Sequence, residues 1–245
     1  MAGALAVLVL LTGCVDQETA ANRASGSAIT TAEAQVLADV LYRNLEKGGA
    51  TVDVSAPISE GALLTMTGTV DFATETGTVE TTTTYAAGDQ PDESRVLYFS
   101  RDRLLVGGIP GLTDAMAAAG RDGVQYLRTD LTPAGRFVDN IASMLLNLRA
   151  EAADDPDNLI ASGTTWLGTI RIDNVLTNTF RTGTATVSVG IQDKLLHQYV
   201  ATPGNSDFEV TMTLTGHGTQ EVGFPPEEQI ADASAYPEVA AQFGY

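Results

Sequence analysis

Phe208-Glu209-Val210-Thr211-Met212-Thr213-Leu214-Thr215 alternates apolar and polar residues without a slip. A strand sends successive side chains to opposite faces, so Phe208, Val210, Met212 and Leu214 share one face, and the glutamate and threonines share the other. A segment of this kind buries one side and wets the other, which is the habit of antiparallel sheet. The same period of two runs from Leu64 to Phe72, where Leu64, Met66, Val70 and Phe72 oppose Thr65, Thr67, Thr69 and Asp71. Strands are expected to begin near Ala50 and to continue over Gly77–Tyr85. A hairpin should join Val96–Phe99 to Leu104–Val106 through Arg101-Asp102, and another strand is expected over Val124–Arg128. Later strands are expected over Ala161–Ile172, Thr184–Gly190 and Leu195–Ala201. Threonine supplies much of the polar face, and its branched β-carbon suits a pleated surface better than a helix.

Helices interrupt this pattern in three places. Thr30 and Glu33 have capping-box spacing, and Val36, Leu37, Val40, Leu41 and Leu45 then form one stripe that ends at Gly48-Gly49. A short helix is expected around Asp114–Ala119, closing at Gly120. A longer one, with Pro133 near its start, carries Phe137, Ile141, Met144, Leu145 and Leu148 at helical spacing. The acidic stretch Glu151–Asn158, interrupted by Pro156, reads as a connection. The fold class that follows is α+β, mainly antiparallel β, in a single domain over residues 29–245.

Hydrophobic residues make up 44% of the chain and charged residues 18%. The second figure is below the usual level of about a quarter, so the chain has material for a core and little to keep it unfolded. With 31 acidic against 13 basic residues the formal net charge is −18, a field that repels phosphate backbones. Lys and Arg make no stripe that would override it, so nucleic acid is excluded as an expected partner.

At the amino end Ala2–Leu11 is apolar apart from Gly3, and the first charge is Asp16. A run of about ten residues is half of the roughly 20 needed to cross a bilayer as a helix, and it reads as the core of an export signal over residues 1–13. Leu11-Thr12-Gly13-Cys14 follows it and resembles the lipobox of bacterial lipoproteins, which implies a lipid on Cys14. Cys14 is the only cysteine, so it has no internal disulfide partner, and two acyl chains there would give stable membrane attachment. No basic residue precedes the apolar run, whereas export signals usually begin with positive charge, so basic residues are expected upstream of Met1. Residues 14–28, small and polar, read as a flexible tether.

Chemistry is harder to find. The chain has two histidines, His197 and His217, neither in a catalytic motif, and both are expected as ordinary strand-edge or surface residues. Nucleotide-binding glycine loops, a nucleophile elbow and a His-Glu-x-x-His helix are missing. Asp154-Asp155-Pro156-Asp157-Asn158 lacks calcium-loop spacing and reads as a solvated acidic loop. Neither enzymatic activity nor a cofactor or metal is expected.

The order of elements, with Leu97–Val106, Tyr126–Leu131, Leu214-Thr215-Gly216-His217-Gly218 and Val222-Gly223-Phe224-Pro225-Pro226, resembles the LolA/LppX-like superfamily, in particular its actinobacterial lipoprotein branch (LppX/LprG-like). The resemblance covers nearly the whole mature chain. It implies a curved half-open barrel sheet with helices packed on its concave side, an apolar cavity between the layers, and a last strand with a proline exit at Val222–Pro226. Met66, Phe72, Phe137, Met144, Phe208 and Met212 are the expected ligand-binding residues. The expectation is a monomeric, lipid-anchored protein on the extracytoplasmic face of the cell membrane that binds or carries a lipid or other apolar ligand. The alternative is an envelope interaction module without a cavity, which presents its threonine-rich face to a protein partner.

Overall fold

The computed structural model describes residues 23–86, 88, 90–132, 135–203 and 208–245. Cys14, the apolar run before it and Pro133 lie outside the described residues.

Helix α1 (Thr31–Lys47) starts and stops where its sequence says it should. The Thr30 hydroxyl accepts the Glu33 amide while the Glu33 carboxylate accepts the Thr30 amide, closing the capping box. Gly48, at φ +97°, sends its amide back to the Asn44 and Leu45 carbonyls and turns the chain straight into a strand. A meander follows: β2 (Gly49–Ser59), β3 (Ala62–Asp71), β4 (Thr76–Tyr85), β5 (Glu93–Ser100), β6 (Arg103–Gly107) and, after helix α2 (Leu112–Ala118), β7 (Tyr126–Asp130). Helices α3 (Phe137–Leu146) and α4 (Pro156–Ala161) lead to a second meander. It runs through β8 (Thr165–Ile172), β9 (Val175–Thr182), β10 (Ala185–Gly190), β11 (Leu196–Ala201) and β12 (Val210–Thr215). The end of the chain adds β13 (Ile230–Asp232) and α5 (Pro237–Gln242), and near the start Ser27–Ala28 forms the short β1.

Among the described residues these strands make one unclosed, curved, 13-stranded sheet in the order β1-β8-β9-β10-β11-β12-β2-β3-β4-β5-β6-β7-β13. The two meanders meet at an antiparallel seam between β12 and β2, and the one parallel pairing among the described residues joins β13 to β7. The fold is thus α+β and mostly antiparallel, as the alternation required. Register carries the apolar face across the sheet: Leu214, Val52, Gly68, Val79, Leu97, Val106 and Leu127 stand in one cross-strand row. The apolar side chains of this row and those of α1, α2, α3 and α5 belong to one continuous buried core. Asn44 ties α1 to the exit of α3, its Nδ2 donating to the Leu148 carbonyl at 2.7 Å.

One strand position is filled from across the sheet. The Phe99 ring lies over its cross-strand partner Gly77, in the space a β-carbon would need. Gly77→Val is therefore expected to lower stability by about 1–3 kcal/mol through overpacking. Urea denaturation would show a lower midpoint at unchanged slope.

Several boundaries differ from the sequence reading, each for a local reason. Of the segment expected as a tether, residues 23–28 belong to the domain. Arg23 lies 4.9 Å over the Trp166 ring and donates to Glu33 at 2.6 Å, and Ser27 and Ala28 pair with Trp166 and Thr165. The strand expected from Ala161 begins at Thr165. Asp155 accepts the Asp157 amide and Pro156 occupies the first helical position, so the acidic stretch read as a connection opens α4. Its aspartates are exposed. Val175–Thr182, unassigned from sequence, is a full strand. The last strand is Ile230–Asp232 rather than Val222–Pro226. The segment before it instead crosses the outer face of the sheet, where the Phe224 ring packs 5.8 Å from that of Tyr98. Leu105, the cross-strand partner of Tyr98 and Arg128, is 3% exposed.

Candidate functional site

A cleft of about 150 Å³ opens where the first turns of α1 face β9 and β10. Ala32 and Val36 line one side, and Phe180 and Val189, both members of the buried core, line the other. Three polar groups stand around this apolar surface: Glu33, Asn178 and Lys194. Burial raises the Glu33 pKa, but the bonds from Arg23 and from Thr30 outweigh burial and hold the carboxyl below its ordinary range. Glu33 is therefore anionic and already paired. Asn178 accepts hydrogen bonds from Thr169 Oγ1 at 2.8 Å and Trp166 Nε1 at 3.4 Å. Lys194 sits at φ +59° in the turn between β10 and β11, its Nζ donating to the Ile191 carbonyl. The arrangement offers an apolar floor that runs into the core beneath one ammonium group.

The six residues expected to bind ligand are distributed through the core and its margin. Met66, Phe72 and Met212 are 2%, 0% and 0% exposed and lie inside the continuous core. Phe137 and Met144 are partly buried against it on α3. Phe208 is half-buried just before β12. None of the six lines the cleft at α1, whose own residues come from the first turns of α1, from β9 and β10, and from the β10–β11 turn. The Thr30–Glu33 box was visible in sequence; β9 was not.

A larger, polar cleft of about 420 Å³ lies between β6, β7 and β13, lined by Arg103, Arg128, Asp130 and Asp232 among others. Its charges are mostly spent on the fold. Arg128 donates to Asp232 at 2.6 and 3.1 Å and to Glu227 at 3.0 Å, which pins the short parallel strand β13 against β7. The guanidinium beside Asp232 lowers that carboxyl's pKa.

The sequence suggested strand-edge or surface histidines; His217, just past the end of β12, is partly buried, but His197 is not a surface residue. His197 is 4% exposed, and its ring meets that of His217 edge-on at 5.1 Å. Asp193 Oδ2 lies 2.9 Å from His197 Nε2, while His217 Nε2 donates to the Leu196 carbonyl at 2.9 Å. Among the described residues no group of three or more His, Cys, Asp or Glu is placed to hold a metal ion, and no helix is long and apolar enough to cross a membrane. No protein-family model matches the chain, and no curated protein matches it in sequence.

Proposed function

We propose that this chain is an exported, non-enzymatic protein, anchored to the extracytoplasmic face of the cell membrane through Cys14, that holds a lipid or other apolar molecule between its sheet and its helices. The observation that carries this reading is the cleft between α1 and β9–β10, whose floor of Phe180 and Val189 is continuous with the core. A volume of that order takes a benzene-sized group. A longer acyl chain enters only as the helix layer lifts from the sheet, and each methylene it buries returns about 0.8 kcal/mol. The helix layer has an apolar margin for this: Val36, Leu41, Phe137, Val138 and Met144 are all partly exposed against the core. In this reading the curved sheet is a half-open barrel and the helices cover its concave side.

A second reading, an envelope interaction module without a ligand, is favoured by one observation. Met66, Phe72 and Met212 are already enclosed by protein, so the space between them is filled before any ligand arrives. Native mass spectrometry with organic extraction separates the two, applied to the Cys14→Ser chain purified from a lipid-containing host. Stoichiometric released lipid is expected. A clean ligand-free mass after incubation with membrane lipids would replace the carrier with the interaction module.

A further inference from the structure

His197 owes its position to a β-bulge. Ser188 pairs with Gln198 and the next residue, Val189, pairs with Leu196, which leaves His197 as the extra residue on β11. Its side chain is buried, Nε2 faces Asp193, and Nδ1 has no hydrogen-bond partner. Asp193 also accepts the Leu195 amide through Oδ1 at 3.1 Å, so one carboxylate ties the His197 ring to the turn over residues 190–195. That turn is a wall of the α1 cleft, contributing Gly190, Ile191 and Lys194. Its other ties are the backbone bonds of Gly190 to Leu195, Lys194 to Gly190 and Ile191 to Leu176, and the bond from Lys194 Nζ to the Ile191 carbonyl. A β-carbon on Gly190 would overlap Asp193 Oδ1 and press on the His197 ring, so turn, carboxylate and ring are packed as one unit.

The unit tolerates one positive charge and resists two. Asp193 can neutralise an imidazolium at His197, but the carboxylate acting on His217 is the same Asp193. Burial opposes charge on His217, and so do His197 beside it and, more weakly, Lys47 at the end of α1. The Leu196 carbonyl and Asp193 favour it, and the balance leaves the His217 pKa below its ordinary value of 6.5. A proton on His197 Nδ1 makes a buried N–H with no acceptor. Both costs fall when the turn lifts, because water then reaches the rings.

We propose that His197, His217 and Asp193 form an acid-released latch on the 190–195 turn, which keeps the α1 cleft closed near neutrality and opens it to the apolar ligand in mildly acidic surroundings. The sign follows from the neutral form being the one the closed state prefers. The contribution of neutral His217 is complete above about pH 6.5 and is lost as pH falls through its lower folded-state pKa. The purpose of the opening rests on the ligand-binding reading above; the latch itself does not.

The test uses the ¹⁵N-labelled Cys14→Ser chain, in which two histidines give two imidazole spin systems, assigned with His197→Gln and His217→Gln. Amide exchange at Gly190, Lys194 and Leu195, corrected for intrinsic rates, is expected to lose about tenfold in protection between about pH 7.5 and 5. Amides in β2 and β3 should hold theirs. His217→Gln should abolish the acid response, and His197→Gln, which leaves the buried His217 in place, should reduce it; if one folds poorly, the other suffices. Titration of both rings with unchanged protection in the turn, or an acid response that survives undiminished in a folded variant, overturns the latch. Binding of cis-parinarate, followed at both pH values, is expected to strengthen in acid. A turn that opens in acid while the probe binds at neither pH supports the latch and sinks the ligand-binding reading.

Discussion

Phe72→Ala is expected to destabilise the domain by about 3–5 kcal/mol. Phe72 is wholly buried at the end of β3, and its backbone is gripped from both sides. Its amide donates to the Gly48 carbonyl at 2.7 Å, and its own carbonyl accepts from Arg149 Nη1 at 3.0 Å. With the main chain held at the cap of α1 and by Arg149, the surroundings have little freedom to collapse into the vacated space, which places the cost high in the usual range. Equilibrium urea denaturation at constant slope measures it. The result also bears on function: a loss below about 1 kcal/mol would mean that the interior around Phe72 is loosely filled, as a ligand chamber would be.

A comparable loss, about 3–5 kcal/mol, is expected for Arg136→Ala, by a different mechanism. Asp139 has a side chain 3% exposed and receives Arg136 Nη2 at 3.0 Å and Nε at 3.3 Å. The same guanidinium donates to Thr129 Oγ1 at 2.7 Å and lies 4.9 Å over the Tyr245 ring. Truncation strands a buried carboxylate and releases three elements that meet at the start of α3. Removing both charges with Arg136→Met and Asp139→Leu should recover much of the loss, because the stranded charge rather than the missing attraction dominates. Thermal unfolding of the single and double variants checks this; a double variant no better than Arg136→Ala would refute it.

The sheet was legible wherever one face of a strand is uniformly apolar. Leu64–Phe72 and Val210–Leu214 have that property, and both lie against the core as their alternation required. Strand β9 lacks it. Leu176, Asn178 and Phe180 share a face, and Asn178 interrupts the apolar run because its side chain is engaged by Trp166 and Thr169. Thr177 and Thr179, on the opposite face, are buried with their hydroxyls bonded to the Ile170 carbonyl and to Ser188. Hydrophobic periodicity registers none of this. Strands β1 and β13, two and three residues long, are defined by what they pair with rather than by any pattern of their own. The candidate site shared that difficulty. Its cap on α1 was readable from Thr30 and Glu33, but the histidine contact joins residues 20 apart through a bulge, a geometry that exists only once β11 is paired.

The seam between β12 and β2 has a consequence for how the chain reaches this structure. Each meander is built from neighbours in sequence, whereas Met212 must find Val54 across most of the chain. Closing so long a loop carries an entropy cost that nothing local offsets, so each half can gather its hairpins early while their union waits. The seam row, with Leu214 against Val52, is then the final zipper of folding. Substitutions there should slow assembly chiefly by delaying the docking of two partly formed halves, and an unjoined β2 or β12 presents its bare edge to whatever strand arrives first.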